Sequence, residues 1–237
     1  MIPYRDDNPT LSTPVVTILL IAVTVGVWVL VQGMGAEPQL SRSVCELGLI
    51  PGELLSRVPP GAALRLSPGT LCYLGKGPSW YTPLTSMFMH GGWLHIIGNM
   101  WFLWLFGNNV EDSMGRGRYL AFYLLCGLAA AAAQTLADPS SVVPMVGASG
   151  AISGVMGAYV VLYPRVRIHV LVILVIFFTR VTLPAWVMLG YWLLLQLFSG
   201  ALSYGDRQGG VAFWAHVGGF LAGATLVGLF RDRVLVA

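Results

Sequence analysis

The sequence predicts an all-α polytopic membrane protein with six spans, and three observations carry that reading. Of the 237 residues, 56% are hydrophobic and 10% charged, with a mean hydropathy of +0.75, whereas soluble domains carry roughly 25% charge. Apolar runs of membrane-crossing length recur along the chain, and the basic residues collect near their ends. The net charge of +3 is too small and too scattered for a nucleic-acid surface, so no nucleic-acid partner is expected. Three cysteines without a CxxC pair imply neither a disulfide scaffold nor a metal site, and no cofactor is expected.

Residues 1–13 read as a cytoplasmic N-terminal tail, and Pro14 opens an apolar first span over about 14–33. We read it as a retained span and not a cleaved signal peptide, because Arg5 is offset by Asp6 and Asp7 and more spans follow. Residues 36–84 form a long Pro/Gly-containing outer loop, with amphipathic pieces at 47–55 and 61–66 suited to the membrane interface. The loop holds Cys45 and Cys72, which either pair, if that side is oxidising, or stay as free thiols. Pairing would stabilise the fold by roughly 3 kcal/mol through loop closure.

The second and third spans cover about 87–106 and 117–137, joined by a short loop with Glu111, Asp112, Arg116 and Arg118. After a Pro- and Ser-containing link at 138–144, the fourth span occupies 149–163 and stops at Pro164 and Arg165. A helix of that length rises roughly 22 Å and falls about 8 Å short of the hydrocarbon thickness. Residues 168–178 are apolar but too few to cross, so an interfacial or re-entrant segment is expected. The fifth span covers about 183–202 and, after a turn at 204–210, the sixth covers 211–230. The six-span domain is thus 14–231, with 232–237 a cytoplasmic tail, and the chain has no internal repeat. With the N-terminus cytoplasmic, Arg5, Arg116, Arg118, Arg165, Arg167, Arg180, Arg231 and Arg233 lie inside. Arg42, Arg57, Arg65, Lys76 and Arg207 then lie outside, and this imbalance favours N-in/C-in.

Polar groups inside the membrane are costly and default to a functional reading. The spans hold His95 and Asn99 in the second, Ser149 at the start of the fourth and His216 in the sixth, with His90 near an entrance. The lack of acids inside the spans argues against a cation pump or a proton-coupled transporter with a carboxylate relay. Counting from the outer ends puts His95 about 12 Å and His216 about 8 Å deep. The short fourth helix sinks Ser149 to a similar layer. The link before it must then line a wet cavity, since irregular backbone does not face lipid.

Ser149 sits in Gly147-Ala148-Ser149-Gly150, one residue short of the Gly-x-Ser-x-Gly elbow of soluble hydrolases. Glycine and serine also pack helices in membranes, so the stretch alone does not establish chemistry. Ser149, Ser153 and Gly157 share one helix face, as do His216, Gly219 and Gly223, which predicts close approach of the fourth and sixth helices. Serine is inert until a base takes its proton, and histidine is the usual base. No acid is placed to orient the imidazole, which leaves a Ser-His dyad. Oxyanion donors are available in the Ser149 amide and in His95 and Asn99, although the latter pair also reads as interhelical hydrogen-bonding residues.

The motifs His90-Gly-Gly-Trp-Leu-His95-Ile-Ile-Gly-Asn99, Gly107-Asn-Asn-Val-Glu111, Gly147-Ala-Ser149-Gly150 and Ala215-His216-Val-Gly-Gly219 resemble, in order and spacing, the rhomboid intramembrane serine proteases. The resemblance covers about residues 80–230. It implies a six-transmembrane-helix rhomboid fold in which Ser149 is nucleophile and His216 base. It also implies an oxyanion site of His95, Asn99 and the Ser149 amide, with Glu111 bracing the long first loop and His90 near the site. The implied activity is endoproteolysis, through an acyl-enzyme, in or near the outer end of transmembrane helices of single-span membrane proteins. The lipid bilayer is the medium, and a bacterial cytoplasmic membrane is the expected location. Ser153 departs from the family, whose members often carry there an aromatic packed on the histidine, and the first loop matches only at 49–54. Two rivals remain: a non-proteolytic rhomboid-like protein that binds and escorts membrane clients, and a small-solute channel or transporter.

Overall fold

A computed structural model describes residues 1–59, 61–67, 69–75, 79–174, 177–202 and 211–232. The fold is mostly helical. In chain order it comprises β1 (Ile2–Asp6), α1 (Val15–Leu30), α2 (Gln39–Leu47), α3 (Pro51–Leu54), β2 (Ala63–Ser67), β3 (Thr70–Tyr73) and α4 (Thr82–Thr85). These are followed by α5 (Trp93–Met114), α6 (Arg116–Ala137), α7 (Ser149–Leu162), β4 (Arg167–Leu174), β5 (Phe177–Pro184), α8 (Ala185–Leu202) and α9 (Phe213–Phe230). Among the described residues, α6, α8 and α9 are long and apolar enough to cross a membrane, and α1 and α7 are shorter apolar helices. The turn expected at 204–210 and the tail beyond 232 lie outside the described residues.

The N-terminal residues are not a loose tail. β1 pairs antiparallel with β4, and β4 with β5, in a three-stranded sheet of order β1-β4-β5. This corrects the all-α reading and the interfacial or re-entrant assignment of 168–178. The β-branched Ile168, Val170, Val172 and Ile173 suit extended backbone, and the start of the strand alternates in burial: Ile168 and Val170 are buried in the core while Arg167 is exposed. Asp7 accepts from His169 at 2.9 Å, and the Tyr159 hydroxyl on α7 donates to Asp6.

α5 begins at Trp93 and not near 87, because Gly91 and Gly92 precede it, and it continues through the polar Asn108–Asp112 end. That end has a partner. The Val16 and Thr17 amides donate to Glu111 at 2.9 and 2.8 Å, and the Thr17 hydroxyl donates at 2.9 Å. Asp112 takes the amides of Leu11 and Ser12 at 2.7 and 3.1 Å. Glu111 therefore caps the first turn of α1, satisfying amide groups that a helix N-terminus leaves open, and does not brace the long first loop as expected.

That loop is braced differently. Cys45 and Cys72 form a disulfide joining α2 to β3. Ile50, Cys72 and Leu74 make a small core of its own. Leu49 and Met145 exchange backbone hydrogen bonds at 2.9 and 2.7 Å, the Gly52 amide donates to the Ser141 carbonyl at 2.8 Å, and the Gly147 amide donates to the Ser86 carbonyl at 2.9 Å. The irregular link before α7 is thereby hydrogen-bonded by protein, which is the condition for such backbone at membrane depth.

α7 lies at the centre of the molecule, with Ala151, Ile152, Val155, Ala158 and Tyr159 buried at 2% exposure or less. It meets α9 as closely as two helices can. A Cβ at Gly219 would run into the Gly150 carbonyl, one at Gly223 into the Gly154 carbonyl, and one at Gly157 into the Phe220 carbonyl. The predicted approach of these helices is present, but Gly150, Gly154 and Gly157 form the seam on α7. Ser153 instead turns its hydroxyl back to the Ser149 carbonyl at 2.6 Å.

Candidate active site

The glycine seam presses the first turn of α7 against the first turn of α9, and this brings the two halves of the predicted dyad together. Ser149 Oγ lies 2.8 Å from His216 Nε2. On the other side of the ring, His216 Nδ1 lies 2.8 Å from Gln196 Oε1 on α8. An amide oxygen only accepts, so Nδ1 carries the proton and Nε2 is left to accept from the Ser149 hydroxyl. Trp192, one turn before Gln196, sets its ring 5.8 Å from the imidazole at an interplanar angle of 38°. His216 is almost fully enclosed.

Ser149 opens into a cavity of about 630 Å³ lined by Met87, His95, Asn99, Phe102, Trp192 and Gln196, among others. His95 and Asn99 lie one turn apart on α5 and face it together. The Gly91 amide donates to His95 Nδ1 at 3.3 Å, which leaves the ring's other nitrogen, Nε2, to hold the proton. That nitrogen lies against Gly147, where a Cβ would sit only 2.7 Å away. The Asn99 amide nitrogen is buried without a protein hydrogen-bond acceptor among the described residues. His95, Asn99 and Ser149 at the start of α7 thus line one cavity. Such an arrangement can activate a hydroxyl and receive a developing negative charge on oxygen.

Gly147 makes that space possible. Its φ of +129° is a conformation that L side chains rarely adopt, and a side chain there would fill the gap between His95 and Ser149. Gly150 and Gly219 act through helix contact, as described above.

Of the other predicted residues, Ser153 also lines the cavity, whereas His90 and Glu111 do not. His90 is fully buried behind His95, with ring centroids 5.0 Å apart. Its backbone is held on both sides by Gln32, which accepts from the His90 amide and donates to its carbonyl, each at 2.8 Å. Glu111 is sixteen positions beyond His95 on α5, about 24 Å along the axis. Ser153 is fully buried and satisfied by the Ser149 carbonyl.

Three residues at or near the site lie outside the sequence motifs: Trp192, Gln196 and Gln32. Gln196 is an uncharged amide, which costs less within a span than an ionisable group and so points less strongly to function. A glutamine one helical turn from a tryptophan, within an otherwise aliphatic run, was the available signal.

Comparison with known proteins gives the family. A family model described as the Rhomboid domain matches residues 77–233. The chain is 33% identical over 170 residues to "Rhomboid protease GluP" of Bacillus subtilis, covering 67% of this chain and 29% of that protein. It is 32% identical over 156 residues to "Rhomboid-like protein 11, chloroplastic" of Arabidopsis thaliana, covering 64% of this chain and 53% of the relative. To "Rhomboid protein 1, mitochondrial" of Saccharomyces cerevisiae it is 26% identical over 231 residues, covering 81% of this chain and 64% of the relative. The matches thus span from under a third to just under two-thirds of the relatives' own length. Together with the apolar helices, the match marks an integral membrane protein. Since the family model covers more than half of its length, the chain belongs to the rhomboid family.

Proposed function

We propose that the chain is an intramembrane serine endopeptidase with Ser149 as nucleophile and His216 as general base. The observation that carries this reading is the 2.8 Å approach of Ser149 Oγ to His216 Nε2 at the wall of a cavity that also holds His95 and Asn99. As His216 Nε2 takes the hydroxyl proton, Ser149 Oγ attacks a peptide carbonyl. The negative charge on the carbonyl oxygen is met by the Ser149 amide, the His95 Nε2–H and the Asn99 amide group. His216 then gives its proton to the leaving amine, an acyl-enzyme forms on Ser149, and water activated by His216 releases the acid.

The substrates are single-span membrane proteins, cut in or near the outer end of the transmembrane helix. A helical amide is hydrogen-bonded and sterically closed, so the substrate must unwind locally, which favours helix-breaking or small residues at the cut. The domain spans 14–231 in six crossings, with α5 as one of them, N-in and C-in, and the cavity opens to the outer face. The Cys45–Cys72 disulfide supports an outer position for the long loop, because such bonds persist in oxidising compartments. The location proposed is a bacterial cytoplasmic membrane.

In proteoliposomes with a model single-span substrate, wild type is expected to cleave and to label with a fluorophosphonate. Ser149→Ala and His216→Ala are expected to do neither while remaining folded. Cleavage retained by Ser149→Ala would sink the assignment.

A further inference from the structure

We propose that Gln196 on α8, with Trp192 one turn before it, is the positioning residue for His216: it selects the tautomer and fixes the ring plane that proton transfer from Ser149 requires. This inference rests on the protease reading above and deepens it from a two-residue to a braced site. A neutral imidazole has two tautomers, and only the one with the proton on Nδ1 leaves Nε2 free to accept from Ser149. In many hydrolases a carboxylate makes that choice. No carboxylate lines the cavity among the described residues, and one buried here would carry a heavy desolvation cost. The Gln196 carbonyl oxygen, 2.8 Å from Nδ1, makes the same choice without a charge.

The imidazolium formed during the reaction keeps this bond, since Nδ1 donates in both protonation states. Its charge is therefore met by an oriented amide dipole in a low-dielectric site. Trp192 restrains the remaining freedom, rotation of the ring about its long axis. Its ring centroid lies 5.8 Å from that of the imidazole, tilted by 38°, and 6.1 Å from that of Phe220, one turn beyond His216. Ser153 cannot serve this purpose, because its hydroxyl is short and already bonded to the Ser149 carbonyl. The aromatic contact that the sequence lacks at 153 is thus supplied from a different helix.

The test measures kcat and KM on a single-span substrate in proteoliposomes, together with the ¹⁵N resonances of His216 in micelles, assigned by difference from His216→Ala. Wild type is expected to show a neutral ring protonated at Nδ1. Gln196→Leu is expected to mix the tautomers and lower kcat by about 10- to 100-fold with KM nearly unchanged. Gln196→Met keeps the length of the side chain without an acceptor and is expected to show the same mixed tautomers and the same loss of kcat. It also keeps the test open if Gln196→Leu fails to fold. Wild-type tautomer and kcat in folded Gln196→Leu or Gln196→Met overturns the positioning role. Absence of cleavage by wild type as well as by Ser149→Ala overturns the protease reading instead, and is told apart by a tautomer that still depends on Gln196.

Discussion

At the scale of single residues, the site depends on an atom that is missing. Gly147 holds φ at +129° and leaves room for His95 beside Ser149. Gly147→Ala would set a methyl 2.7 Å from His95 Nε2 and 3.5 Å from Ser149 Oγ. We expect it to cost about 1–3 kcal/mol in stability from backbone strain, read by thermal melting in detergent, and to lower kcat at least as much as loss of an oxyanion donor. The Asn99 amide nitrogen, buried and without a protein acceptor among the described residues, is the proposed counterpart of such a donor. Asn99→Ala is therefore expected to reduce kcat by about 100- to 1,000-fold with little change in KM, checked by steady-state cleavage. Both residues stand in motifs visible in the sequence. Gln196 and Trp192 do not, because their meaning depends on which side of His216 α8 packs against.

At the scale of elements, the polar end of α5 and the sheet hold the chain's first residues. Glu111→Ala would strip the cap from Val16 and Thr17, leaving buried donors unpaired. The expected loss is about 2–3 kcal/mol, measured by denaturation, with Glu111→Gln losing less because one acceptor oxygen remains. The sheet adds a pH dependence. The hydrogen bond and charge of His169 hold the Asp7 carboxyl below its ordinary value of 3.8, with Arg5 and Arg167 assisting. A carboxyl lowered in the folded state contributes stability that is full above its unfolded value and is lost as pH falls through the folded value. Burial raises the Asp6 carboxyl, against the lowering hydrogen bond from Tyr159. Its contribution has the opposite sign: full below the unfolded value and lost as pH rises through the folded one. Hydrogen exchange of β1, corrected for intrinsic rates, should therefore slow as pH falls toward 3.8 while Asp6 takes up its proton, and quicken below 3.8 as Asp7 does. Asp7→Asn should remove the quickening and Asp6→Asn the slowing. In 168–174 only Ile168, His169 and Val170 alternate in polarity; 170–174 is an unbroken apolar run, so the pattern alone does not separate a strand from an inserted segment. Only the arrival of β1 beside it, more than 160 residues away in sequence, made the strand a stable choice.

At the scale of the whole molecule, α7 and α9 are the frame, and their contact sets the distance between Ser149 and His216. Gly223→Leu would drive a side chain into the Gly154 carbonyl, with no flexible neighbour to yield. We expect loss of folded protein together with activity, seen as loss of the monodisperse peak in size-exclusion chromatography. Gly228→Leu, which has open space around it, should be close to neutral. Composition and apolar run length by themselves determined a membrane protein and most helix positions to within a few residues, and the order of four motifs pointed to the family. Ser149, His216, His95 and Asn99 were legible as candidate site residues, because polar residues are rare enough within apolar spans for each to stand out. Only the tertiary structure decided that Glu111 caps α1, that 168–174 joins a sheet, that Cys45 and Cys72 pair, and that α8 supplies the neighbours of His216. Each of these depends on which distant segments become adjacent. Periodicity and spacing record how a residue sits on its own helix, whereas hydrogen-bond partners are chosen by the packing of one helix against another.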